Sequence, residues 1–152
     1  MKGLESRVAL LVDAPNMYGC CFSEISNTAS KYGFLDIKEI FFNKHASSKL
    51  NEAAINNGYR PIVNSIEDID CSLAIRASEI ICSPRFNHIQ RLALASNDGD
   101  FCPLAYLARD YRKEIIFISH VNDPTSQALM HVGDFHETVI SKRFDYKKYH
   151  KT

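Results

Sequence analysis

Short, continuous apolar runs punctuate this chain at intervals. VALLV at 8–12, LALAS at 92–96 and IIFIS at 115–119 have no polar alternation, which is the pattern of strands buried on both faces of a sheet. Further strands are predicted at 37–43 (IKEIFFN), 59–65 (YRPIVNS) and 135–140 (FHETVI). Pro61 places the second of these at a sheet edge, because proline cannot donate to a ladder on both sides. Between the strands run stretches with helical spacing: 17–33, closed near Gly33; 47–58, stopped by Gly58; 68–82; 101–113, with Pro103 near its first turn; and 124–134. The clearest is 68–82, where Ile69, Leu73, Ala77 and Ile80 share one stripe and Pro84 ends the run. Strands alternating with helices predict an α/β domain, a three-layer α/β/α sandwich around a mostly parallel sheet.

Composition narrows the picture. The 152 residues suit one domain, and 45% apolar with 24% charged content is globular. That domain is expected over 1–141, with 142–152 as a basic tail or short extra helix. Eighteen Lys and Arg balance 18 Asp and Glu, so a nucleic-acid partner requires a local basic patch rather than a global field. Five cysteines, none in C-x-x-C spacing, are expected to be reduced thiols. The opening MKGLESRVALLV lacks signal-peptide character, and no apolar stretch approaches the ~20 residues needed to cross a bilayer. A soluble cytoplasmic protein with no membrane partner is expected.

Candidate chemistry lies at the ends of the strands. In open parallel sheets, ligands bind in the crevice outside the carboxyl ends of the strands. Asp13 directly follows VALLV, while Asp98 and Asp100 follow LALAS. Asp70, with Asp68 beside it, opens the helix after YRPIVNS. The fold can therefore gather Asp13, Asp70, Asp98 and Asp100 into one acidic pocket. Packed carboxylates repel unless a cation neutralises them, and hard oxygen donors suit Mg²⁺ or Mn²⁺ rather than zinc. Metal-assisted phosphodiester hydrolysis is the chemistry that fits. Each aspartate also has a plain structural role open to it: Asp98 or Asp100 as a helix cap, Asp68 or Asp70 as another, and Asp13 as a turn residue before Pro15. The D-x-D of DGD also occurs in sugar-nucleotide transferases, but 152 residues leave little room for a donor pocket.

Two segments carry a family resemblance. VALLVDAPNMYG resembles the opening of the NYN domain, a branch of the PIN-like nuclease superfamily. SNDGDFCPLAYLARD resembles that family's second signature, and IDCSLAIRASEI its middle segment. Order and spacing agree over roughly residues 7–140. The resemblance implies a PIN-like sandwich and an Mg²⁺- or Mn²⁺-dependent ribonuclease with RNA as its partner, and it admits a homodimer. It carries the metal-site and catalytic roles to Asp13, Asp70, Asp98 and Asp100, with Asn16 and Ser96 in support.

Departures from the family pattern open a second reading. EDID replaces the usual Lys-Gly-Val-Asp, Arg76 stands where many members have a further aspartate, and Asn97 stands where glycine is usual. On that reading the chain is a degenerate NYN domain, a non-catalytic RNA- or protein-binding regulatory module. Arg76, Arg85, Arg109 and Arg112, with Arg91, Lys113 and the tail lysines, are candidates for an RNA-facing rim. Tyr18 or Phe22 is available to stack a base. His120, just past IIFIS, is a candidate proton carrier with a structural role as its alternative.

Overall fold

The computed structural model describes residues 6–17, 19–63, 69–120 and 127–140. Its strands are β1 (Arg7–Asp13), β2 (Phe34–Phe42), β3 (Arg60–Val63), β4 (Arg91–Ala95), β5 (Glu114–His120) and β6 (Phe135–Val139). Its helices are α1 (Phe22–Ala29), α2 (Ser48–Asn56), α3 (Asp70–Cys82), α4 (Pro103–Asp110) and α5 (Gln127–Val132). The strands form one sheet in the order β3-β2-β1-β4-β5-β6, and every pairing is parallel. The expected α/β sandwich is what forms, with β3 and its Pro61 at an edge.

Two differences from the expected elements have local causes. The run at 17–33 does not form one helix: Ala14–Met17 is a 3-10 turn, Gly19 takes φ +87°, and α1 starts only at Phe22. Glycine adopts that backbone without a Cβ clash, and a right-handed helix cannot continue through it. The run at 101–113 is helical only over α4, because Phe101 closes a 3-10 turn, Gly99–Phe101, and Arg112 takes φ +60° just past the helix end. The expected basic tail, the first residues of the 124–134 helix and the end of the 59–65 strand lie outside the described residues.

Alternation along β1 divides the core in two. Val8, Leu10 and Val12 pack with Ile25 and Ala29 of α1 and Ala54 of α2. Ala9 and Leu11 face the opposite layer, with Leu73, Ala77 and Ile80 of α3 and Leu104, Ala105 and Ala108 of α4. Residues Val8 to Val12 are wholly inaccessible to solvent, and each valine and leucine among them contributes about 1.5–3 kcal/mol by burial. Alternation then sends Asp13, two residues after Leu11, toward the α3 and α4 layer.

An ion pair joins that layer to β2. The Glu39 side chain on β2 is buried, and Arg76 of α3 grips it with two hydrogen bonds, Nε to Oε1 at 2.9 Å and Nη2 to Oε2 at 2.8 Å. Arg76 also donates to Glu79 and lies over the Phe86 ring. These carboxylates, Glu39 above all, hold the guanidinium charged well above its ordinary range. Arg60, more distant at 3.4 Å, is the second cation near Glu39. Arg76→Ala is expected to destabilise the fold by about 3 kcal/mol, because Glu39 keeps its buried charge. The Glu39→Gln/Arg76→Met double variant is expected to lose less than the single one. Urea unfolding measures both, and a larger loss in the double variant would contradict this role.

Candidate active site

The strand order reverses direction between β1 and β4, and this is where open α/β sheets form their binding crevice. Val12 of β1 pairs with Ala95 of β4, so the next residues, Asp13 and Ser96, emerge side by side at the carboxyl edge. Both are completely buried. Ser96 Oγ donates to Asp13 Oδ2 at 2.8 Å, and Asn16 Nδ2, from the 3-10 turn after β1, donates to the same oxygen at 2.7 Å. Asp13 Oδ1 is buried without a hydrogen-bond partner among the described residues. Burial pushes the Asp13 carboxyl above its usual range; the Asn16 and Ser96 hydrogen bonds oppose that shift, and the nearby charge of Asp98 adds to it.

Three further carboxylates converge in front. Ligand oxygens of Asp70, Asp98 and Asp100 lie within 4.8 Å of one another, Asp100 exposed and the other two half-buried. Asp70 is supplied by the first turn of α3. Asp98 and Asp100 come from the loop after β4, and that loop is braced twice. Ser96 Oγ accepts from the Asp98 N–H at 3.0 Å, and Asp98 Oδ1 accepts from the Asp100 N–H at 2.9 Å. Asp98 therefore caps the 3-10 turn and still has a second oxygen to offer. Ser96 links Asp13 to the Asp98 loop through a single hydroxyl.

Charge is what makes this arrangement notable. Among the described residues, no lysine, arginine or histidine forms an ion pair with Asp13, Asp98 or Asp100. Two like charges at such separations repel by about 1 kcal/mol in bulk water and by several-fold more when shielded from it. The donor set is all oxygen, and one buried oxygen lacks a partner; both features fit a hard divalent cation.

The NYN domain family profile matches residues 7–141. The chain belongs to the NYN domain family. That family falls within the PIN-like nuclease superfamily. An uncharacterized protein of Methanocaldococcus jannaschii is 33% identical over 135 residues, covering 86% of this chain and 54% of that protein. The chain thus spans about half the length of that relative. A crystal structure of a Vibrio parahaemolyticus protein of unknown function superposes with a TM-score of 0.78 at 18% identity, covering 91% of this chain and 95% of that one. It shares the fold of this NYN domain.

The basic residues are distributed differently from the expected rim. Arg76 is held by Glu39 and Glu79 rather than pointing at the carboxylates. Crossover helices in a parallel sheet run from the carboxyl edge back to the amino edge. Arg85, after α3, and Arg109 and Arg112, at the end of α4, therefore sit at the opposite edge from the aspartates. Arg85 pairs with Glu79, and Arg109 donates to the Val132 carbonyl. Arg91 opens β4 at that same edge, and Lys113 Nζ is buried against the carbonyls of Ile80 and Phe86. The structure therefore does not bring these basic residues together with the aspartates. Asp68, Tyr18 and the tail lysines lie outside the described residues.

Sequence reasoning missed the use of Asn97. Its buried side chain accepts from the His120 N–H at 2.9 Å and reaches back toward the His120 carbonyl. This ties the end of β4 to the end of β5 and steadies the loop that carries Asp98. A lone amide directly after a buried strand was the available signal, since buried polar groups require partners.

The Asp13 environment predicts a pH effect on stability. Its folded pKa lies above the unfolded value, so the native state binds the extra proton, and the stability linked to Asp13 falls as pH rises through that window. In EDTA, the stability of Asp13→Asn relative to the parent is expected to increase from about pH 4 to about pH 7. Urea titrations across that range measure it. A difference independent of pH would contradict the upward shift that burial imposes on Asp13.

Proposed function

We propose that this NYN domain is an Mg²⁺- or Mn²⁺-dependent ribonuclease that hydrolyses RNA phosphodiester bonds. Asp13, Asp70, Asp98 and Asp100 form its metal-holding and catalytic set, and Asn16 and Ser96 fix the Asp13 carboxylate. The observation that carries this reading is the meeting of Asp70, Asp98 and Asp100 at the sheet's switch point, with no counter-ion on Asp98 or Asp100 among the described residues. A divalent cation supplies Lewis acidity and charge neutralisation to phosphoryl chemistry. The protein supplies placement. Asn16 and Ser96 keep one Asp13 oxygen occupied and so aim the other, and the cap at Asp100 orients Asp98. The reading takes RNA as the partner and the cytoplasm as the setting. Among the described residues, no helix is long and apolar enough to cross a membrane.

Mn²⁺ is expected to raise the parent's melting temperature and to promote cleavage of a mixed RNA pool. At 100-fold over its dissociation constant, a bound ion contributes about 2.7 kcal/mol. Asp98→Asn retains a capping oxygen and is expected to fold normally, to lose the Mn²⁺ stabilisation, and to cleave about 100-fold more slowly or less. Equal cleavage by parent and variant would overturn the assignment. RNA binding that persists in EDTA, with no Mn²⁺-dependent cleavage, would instead identify the non-catalytic module.

A further inference from the structure

The carboxylates occupy one face of the sheet edge, and a cavity opens on the other. Its volume is about 490 Å³, within the range of small-molecule sites. Val12 and Ala14, the two neighbours of Asp13, both line it, together with Pro15, Phe22, Phe42 and Leu50. The Asp13 side chain turns toward α3 while its neighbours form this wall, so the cavity and the carboxylates are separated by only the end of β1. The walls are mainly apolar, and Asn43 and His45 add polar groups. Phe22 is half-buried and held at a fixed angle by edge contact with Tyr59.

The charges next to lining residues are mixed: Lys44 and Lys49 on the β2 and α2 side, and Glu24 on α1. Lys44 and Lys49 are exposed, adjoin lining residues, and form no ion pair among the described residues. The first turn of α2 contains Lys49 and no acidic residue, the reverse of the usual preference at a helix N-terminus. An apolar slot with an aromatic wall, a few polar groups and two lysines on its α2 side fits a ligand that is flat and aromatic at one end and anionic at the end that meets α2.

We propose that this cavity is a nucleobase subsite. It receives one base of a single-stranded RNA, with Lys44 and Lys49 beside the adjoining phosphates, and so sets which phosphodiester reaches Asp13, Asp70, Asp98 and Asp100. The register of cleavage rests on the ribonuclease reading above; occupancy of the cavity does not. Stacking on an aromatic face and hydrogen bonds to base edges are how unpaired RNA is held.

The test uses the full chain in EDTA, with amide NMR shifts as the readout and the four nucleoside monophosphates as probes. Ribose 5-phosphate serves as the base-free control and decanoate as the aliphatic one. At least one nucleotide is expected to shift Phe22, Asn43 and Ala46 saturably, whereas ribose 5-phosphate leaves them unmoved. Ala46→Trp, which fills the cavity, and Leu50→Glu, which places a carboxylate at its mouth, are each expected to weaken binding about tenfold. Leu50→Glu puts an acid in the first turn of α2, where it favours the helix, so a folding defect in one variant leaves the other informative. The proposal is overturned if no nucleotide shifts these residues at millimolar concentration, if ribose 5-phosphate shifts them equally, or if decanoate displaces the nucleotides. Base binding without Mn²⁺-dependent cleavage would refute the nuclease and keep the subsite. Cleavage without base binding would do the reverse.

Discussion

A carboxylate buried at the end of a central strand governs the architecture of this site. Asp13 is fully enclosed, with one oxygen held by Asn16 and Ser96 and the other without a partner among the described residues. Leaving a polar atom unsatisfied costs stability, and a desolvated negative charge costs more. The surroundings reduce that cost only in part. The same Ser96 hydroxyl that donates to Asp13 accepts from the Asp98 backbone, so the buried charge and the exposed carboxylates share one mechanical connection. A fold that keeps such a group has a use for it, and a divalent cation is the counter-charge that suits an all-oxygen set.

Two faces of one strand end carry different surfaces. On the α3 and α4 side the sheet presents carboxylates; on the α1 and α2 side it presents a mainly apolar cavity with Lys44 and Lys49 on its α2 side. Neither face needs residues far apart in the fold, because β1 alternates and its last residues serve both. The buried Arg76–Glu39 pair keeps α3 against β2 and holds a cation away from the acidic cluster. Arg76, a helix residue that departs from the family pattern, thus has a structural partner on β2.

Much of the fold was legible because continuous apolar runs at 8–12, 92–96 and 115–119 permit little besides buried parallel strands. Pro61 marked an edge through its missing donor. Asp13, Asp70 and Asp98 were legible as candidates because topology places the carboxyl ends of strands together. Other features depended on contacts that sequence spacing does not encode. The fate of Arg76 required Glu39, 37 residues away. That the arginines near the ends of α3 and α4 lie at the edge opposite the aspartates follows from helix direction rather than from residue type. Gly19 divided an otherwise helical run through a single positive φ.

Anomalous diffraction from crystals soaked in Mn²⁺ tests the central claim most directly. The account predicts one dominant peak among the carboxylate oxygens of Asp70, Asp98 and Asp100, on the side facing Asp13, and its loss in Asp98→Asn crystals. No peak at that position in the parent, or an undiminished peak in the variant, would contradict it.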